Sequence, residues 1–252
     1  MRAHNNFAAL FLVFSAFLIS ASADDKIVNG RPDTIENSPY MVALLNDGEY
    51  YCTGGLVRLD LVITAAHCLA TFQANDITVV AGVTDLEQTG QRRRVDQMFY
   101  SNEYNTATQN MDIGAIRVRT PFNAGANVAI LTLCNTTMPA GTQMRVSGWG
   151  RTGENEPRVN ELRTATLTVV RRRYCARRYQ TVSITITAAM ICAGRGQRDT
   201  CQGDSGAPGI VNGQFCTVVS FGNGCARQGF PGVYVNMNNQ KVRRFITGAM
   251  NG

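Results

Sequence analysis

The chain has 252 residues, with 24 basic and 18 acidic side chains, a formal net charge of +6, eight cysteines and two histidines. A hydrophobic content of 44%, with 24 glycines and 7 prolines, is enough to bury a core in one domain or two small ones. It excludes a disordered, collagen-like or low-complexity protein.

In chain order, the first element lies outside that core. Arg2 and His4 precede the uncharged run 7–19, and Ala21-Ser22-Ala23 then gives the small-residue pattern after which a signal peptidase cuts. The run is too short to cross a hydrocarbon layer of roughly 30 Å. Residues 1–23 therefore read as a secretory signal peptide, which makes the protein extracellular, and no stable membrane association is expected. In the body, 40–45 is apolar, 56–63 is partly alternating, and 77–81 is a β-branched run closed by Gly82; 113–118 continues the pattern. The second half adds 143–147, 161–170, 181–187, 209–211, 217–221 and 232–235 as strand segments. Val242, Phe245 and Ile246 fall at helical spacing beside Lys241, Arg243 and Arg244 and predict a short amphipathic helix at the end. Many short strands and little helix argue an all-β fold. The turn-rich stretch between Pro121 and Pro139 divides the mature chain into halves of similar strand content, which fits two β-barrels side by side.

All eight cysteines lie beyond the signal, in an even number that suits an oxidising compartment and four disulfides, with their connectivity open at this point. No Cys-x-x-Cys pair occurs, and His67 is the one histidine of the mature chain, so no metal and no cofactor are expected. Lys26 and Lys241 are the two lysines; the rest of the positive charge is arginine, much of it in Arg92-Arg93-Arg94, Arg171-Arg172-Arg173 and Arg177-Arg178. Such runs suit a polyanion or simply make a solvated basic face. Without aromatic interleaving or a groove-reading helix, nucleic acid is not expected as a partner.

Three short features carry chemistry. In Asp199-Thr200-Cys201-Gln202-Gly203-Asp204-Ser205-Gly206-Ala207-Pro208, a serine sits between glycines, where a tight backbone can expose its hydroxyl and aim amides at a developing oxyanion. In Ile63-Thr64-Ala65-Ala66-His67-Cys68, His67 follows a strand, and an imidazole is the natural base for a serine nucleophile. In Met111-Asp112-Ile113-Gly114, a carboxylate opens an apolar strand, placed to orient that imidazole. Taken singly each is a common surface feature.

Together they resemble the trypsin and chymotrypsin family of serine proteases, which has its histidine, aspartate and serine in this order and in these contexts. The likeness extends through Ile27-Val28-Asn29-Gly30, Gly148-Trp149-Gly150, Val219-Ser220-Phe221-Gly222 and Pro231-Gly232-Val233-Tyr234, and covers residues 27–252. It implies two perpendicular six-stranded Greek-key β-barrels with a short C-terminal helix, 27–128 forming the first and 129–252 the second. By the same resemblance His67, Asp112 and Ser205 are catalytic, and the Gly203 and Ser205 amides form the oxyanion hole. Asp199 is expected at the floor of the primary pocket, Gly222 and Gly232 in its open walls, and Ser220 with Gly222 along the substrate backbone. An Asp199-floored pocket favours Arg or Lys before the cut bond.

Residues 24–26 are expected as a propeptide. A cut after Lys26, by a trypsin-like protease or by the enzyme itself, would free the Ile27 amine to pair with Asp204. The resemblance pairs Cys52 with Cys68, Cys175 with Cys192 and Cys201 with Cys225. It leaves Cys134 and Cys216 to each other, a departure from the family, whose usual first cysteine would stand near Met144. Phe221 and Ala207 are further departures, at positions where the family often has tryptophan and glycine. The segment after Gly82 does not match the calcium loop of vertebrate trypsins, so no calcium site is expected. Asn135-Thr136-Thr137 is a candidate glycosylation site. The expected protein is a secreted monomeric endopeptidase that meets peptide substrates and protein protease inhibitors. The alternative is a catalytically inactive homologue serving as a binding scaffold, with polyanions as candidate ligands.

Overall fold

The computed structural model describes residues 27, 28, 30–196 and 198–252. The expected signal peptide and propeptide, with Lys26, lie outside the described residues, as does Asn29. The chain runs through β1 (Arg31–Pro32), β2 (Met41–Asn46), β3 (Glu49–Arg58), β4 (Leu61–Thr64), β5 (Ile77–Ala81), β6 (Gln91–Tyr100) and β7 (Gly114–Val118). It continues through β8 (Gln143–Gly148), β9 (Arg163–Thr168), α1 (Arg172–Gln180), β10 (Met190–Ala193), β11 (Pro208–Val211), β12 (Gln214–Phe221), β13 (Gly232–Asn236) and α2 (Gln240–Asn251).

The first half is a closed six-stranded barrel, β2-β3-β4-β7-β6-β5, antiparallel throughout. The second half corrects the expectation of a matching barrel. It is a seven-stranded open sheet in the order β1-β9-β8-β11-β12-β13-β10. The edge of β9 is taken by β1, with Arg31 opposite Thr164 and Pro32 opposite Arg163, and a proline, having no N–H, ends a ladder. The link from β9 to β10 is reduced to a single bridge between Val169 and Ala193.

Other elements also differ from the sequence pattern. Segment 56–63 is two strands around a turn at Leu59-Asp60, and 181–187 is irregular chain after α1. Helix α1 hides its inward face, Cys175 and Tyr179 four residues apart, among four arginines. Strand β6 exposes Arg92 and Arg94 and buries Val95, so charge masks its alternation.

The main core runs through both halves and includes Leu56, Ile63, Trp149 and Phe215; a smaller one under α1 holds Cys175, Tyr179, Cys192 and Val233. Disulfides join Cys52 to Cys68, Cys134 to Cys216, Cys175 to Cys192 and Cys201 to Cys225. The two ends of the chain are exchanged between halves. Strand β1 belongs to the second sheet, whereas α2 returns to the first barrel, where Arg58 and Arg117 donate to the Met250 and Ala249 carbonyls at 2.7 and 2.9 Å. Helix α2 starts at Asn239, whose side chain accepts from the Lys241 and Val242 amides, and it buries Val242, Ile246 and Ala249.

Candidate active site

Strand β4 ends in a single 3₁₀ turn, Ala66–Cys68, which turns His67 out of the barrel wall, and the Cys52–Cys68 bridge ties that turn to β3. Asp112 is presented by a sharper device. Met111 holds a left-handed φ of 55°, and the Ile113 amide donates back to the Met111 carbonyl at 2.7 Å, so the backbone folds tightly around Asp112. The carboxylate is fully buried. Its Oδ1 accepts from the His67 amide at 2.9 Å; its Oδ2 faces His67 Nδ1 at 2.8 Å and accepts from Ser220 Oγ at 2.6 Å. With Nδ1 donating to the carboxylate, His67 is left with Nε2 as its acceptor.

The hydrogen bond from Ser220 was not anticipated from the sequence, where a serine in an apolar strand gives no signal of its side-chain partner. Ser220 lies behind the carboxylate, on the Nδ1 side of the imidazole. Among the described residues no hydrogen bond joins Ser205 Oγ to His67, a contact that in unliganded enzymes is often long. The Ser205 loop is nevertheless packed against the strand end that carries His67. The Ser205 carbonyl accepts from the Thr53 amide at 2.8 Å. A Cβ on Gly206 would lie 2.1 Å from Thr53 O and Thr64 Oγ1, so this residue, at φ 83°, has to be glycine. Tyr50 and Thr53 hold the Gly203 carbonyl at 2.5 and 3.2 Å, again without a motif to announce them. The amides of Gly203 and Ser205 have no acceptor among the described residues. Ala207 is buried with no left-handed backbone, so its methyl group is accommodated without strain.

Two further carboxylates are buried beside this loop. Asp199 is 3% exposed and accepts from the Thr200 and Ala226 amides at 2.9 and 3.0 Å. Burial pushes it up to about 7 in spite of those donors, and the charge of Asp204 adds to the rise. A Cβ on Gly232 would stand 2.6 Å from Asp199 Oδ1, so only glycine there leaves room for the carboxylate. Gly222 continues from Phe221, whose ring meets Tyr179 edge-on at 5.8 Å, and the Cys201–Cys225 bridge staples this region. Asp204 is fully buried and accepts from the Gly150 and Cys201 amides, each at 2.9 Å; burial pushes it up to about 6. Gly148 and Gly150 press on it so closely that a Cβ would fall 2.1 and 2.5 Å from its carboxyl atoms. Ile27 is 1% exposed, and Val28 bridges to Asp199.

Cys52, His67 and Cys68 cluster tightly enough to suggest a metal set, but their two sulfurs are joined to each other, and a disulfide offers no thiolate. Asn135 stands apart, exposed on the connection between the two halves.

An imidazole fixed by a buried carboxylate, with a Gly-Asp-Ser-Gly loop packed against the strand end that carries it, defines a serine endopeptidase; an inactivated scaffold does not need this arrangement kept intact. The family model described as Trypsin matches residues 27–246. The chain is 34% identical over 248 residues to a trypsin of Sarcophaga bullata, covering 95% of this chain and 96% of that one. It is 34% identical over 227 residues to hypodermin-A of Hypoderma lineatum, covering 90% and 88%. Among solved structures it is similar to neuropsin, a serine protease expressed in the limbic system of mouse brain, with a TM-score of 0.79, 32% identity, and coverage of 88% of this chain and 98% of that one. The chain belongs to the trypsin family. It stands in the protease, substrate and inhibitor relationship of that family.

Proposed function

We propose that the protein is secreted, is activated by cleavage after Lys26, and cuts peptide bonds after Arg or Lys with Ser205 as nucleophile. The observation that carries the specificity is the buried Asp199 carboxylate, given room by Gly232 and held by two backbone amides but by no cation among the described residues. A guanidinium or ammonium entering there supplies the missing counter-charge, whereas an apolar side chain leaves a carboxylate buried without one.

His67 Nε2 takes the Ser205 proton as the hydroxyl attacks the carbonyl, and Asp112, steadied by Ser220, stabilises the imidazolium. The Gly203 and Ser205 amides receive the oxyanion. His67 then protonates the leaving amine and activates the water that releases the acyl group. Ser220 and Gly222 lie along the substrate backbone. The first barrel, 27–128, supplies His67 and Asp112, and 129–252 supplies Ser205 and the pocket.

Residues 1–23 are the signal peptide and 24–26 the propeptide. The Ile27 amine freed by the cut pairs with Asp204, which lacks a cationic partner among the described residues. Another trypsin-like protease or the enzyme itself makes that cut. The mature enzyme is a monomer, and exposed Asn135 carries a glycan. The test is hydrolysis of matched peptides with Arg, Lys, Phe or Ala before the scissile bond by protein cleaved after Lys26, beside Ser205→Ala. Turnover of the Arg and Lys peptides alone, abolished in the variant, is expected; equal turnover of the Phe peptide would overturn the pocket reading.

A further inference from the structure

A large concavity of the described surface lies away from His67, Asp112 and Ser205. It is a groove of about 1590 Å³ on the second half, between α1, the end of β9 and the loop after β10, lined by Arg171, Arg173, Arg177, Arg178, Arg195 and Arg198. A smaller hollow of about 350 Å³ shares Thr166 and Arg198 with it and adds Arg31 and Arg145. No carboxylate lines either one among the described residues. The two make a continuous arginine track, which fits an extended ligand rather than a single small ion.

This arrangement works against the fold in the absence of a ligand. Arg171, Arg172 and Arg173 crowd the positive end of the α1 dipole, which has no acidic residue in its first turn and no side-chain cap. Arg173 and Arg177, four residues apart on one helix face, repel each other. Among the described residues the six groove arginines make no ion pair. An anionic chain laid along the groove relieves each of these costs at once, and the planar guanidinium fork suits sulfate oxygens.

We propose that this groove binds a linear sulfated polysaccharide. Single-stranded nucleic acid is disfavoured because the nearby aromatic faces are already taken, Arg195 lying over the Tyr174 ring at 5.3 Å and Arg178 over Phe230 at 5.1 Å, which leaves no platform for bases. None of His67, Asp112, Ser205 or Asp199 lines the groove, so binding is independent of the reading of the active site.

The experiment is calorimetric titration of the mature chain, held by a reversible small inhibitor, with a short heparin oligosaccharide at several salt concentrations. A desulfated chain, a single-stranded oligonucleotide and polyglutamate serve as comparison ligands. Arg173→Gln with Arg177→Gln is expected to weaken heparin binding about tenfold and to lower the slope of log Kd against log salt by about 1.5, at roughly 0.7–0.9 per lost contact. Arg92→Gln with Arg94→Gln, exposed on β6 outside the groove, is expected to change affinity less than about twofold and to leave peptide hydrolysis as it was. Should the α1 pair unfold the helix, Arg195→Gln in the adjoining loop must weaken binding by itself. Equal losses from the groove and β6 variants would mean that net charge alone acts, and would overturn the site. Binding of the oligonucleotide or polyglutamate as tightly as heparin would overturn the ligand.

Discussion

Replacing Asp199 by asparagine isolates the charge that the proposed primary recess would supply. The side chain keeps its size and one acceptor oxygen, but a guanidinium from the substrate is then buried without a counter-ion at a place where the native residue is 3% exposed. Breaking a buried ion pair by removing one partner costs about 3–5 kcal/mol, which at about 1.4 kcal/mol per tenfold is a loss of roughly 10²- to 10³-fold or more in kcat/KM for Arg peptides. Phe or Ala peptides, which never used the charge, should hold their values or improve. A pH signature accompanies the change. In the empty enzyme burial raises Asp199 to about 7, and a cation binds the ionised carboxylate, so inhibition by a small amidinium should strengthen about tenfold per pH unit below 7 and level off above it. In Asp199→Asn that limb should be flat. The assay is kcat/KM on matched peptides together with the inhibition constant from pH 5 to 9. An Arg to Phe ratio that moves less than about tenfold, with the pH limb retained, would refute the assignment of Asp199 as the floor.

Further expectations bear on the neighbouring groups. Ser220→Ala removes a 2.6 Å hydrogen bond to a charged acceptor, about 1.5–3 kcal/mol, and should lower kcat about ten- to hundredfold with KM little changed. Ser205→Ala should lose about 10⁶-fold; two variants equally inactive would contradict their separate roles. For Asp204, a folded value of about 6 above an unfolded value near 3.9 means that its stabilising contribution is complete below about pH 4 and is lost as pH rises through about 6. Denaturant titration of the chain kept uncleaved by Lys26→Gln should show a loss of about 3 kcal/mol over that window, absent when Asp204→Asn is added. Removing the Cys134–Cys216 bridge, whose ends are 82 residues apart, should cost roughly 4–5 kcal/mol in the same titration, and a loss below about 1 kcal/mol would show that the denatured chain is already constrained there.

The chemistry was more legible in the sequence than the architecture, and the reason is steric. Gly206, Gly148 and Gly150 are each pressed against a specific atom of another segment, so short motifs carry three-dimensional constraints in residue identity itself. Closure of the second sheet is governed by a two-residue edge pairing at Arg31 and Pro32, which leaves no side-chain pattern. Helix α1 and strand β6 escaped for another reason. Their inward residues are few, and the arginines between them belong to faces that hydrophobic periodicity does not describe. The sequence sets Ser220 along the substrate backbone and carries no sign that its hydroxyl is bonded to Asp112; a strand position fixes the direction of a side chain and says little of its partner.

The exchange of chain ends between halves has a consequence for how a protein substrate is chosen. With β1 fastened to one half and α2 to the other, each half is tied to the other by chain as well as by the shared core, which works against the halves parting around a folded partner. Adaptation then falls to the substrate. On the specificity proposed above, a bond after arginine in a rigid helix should be cut more slowly than the same bond in a segment that can be drawn out straight. Which proteins this enzyme digests is set by their local looseness as much as by the residue in its pocket.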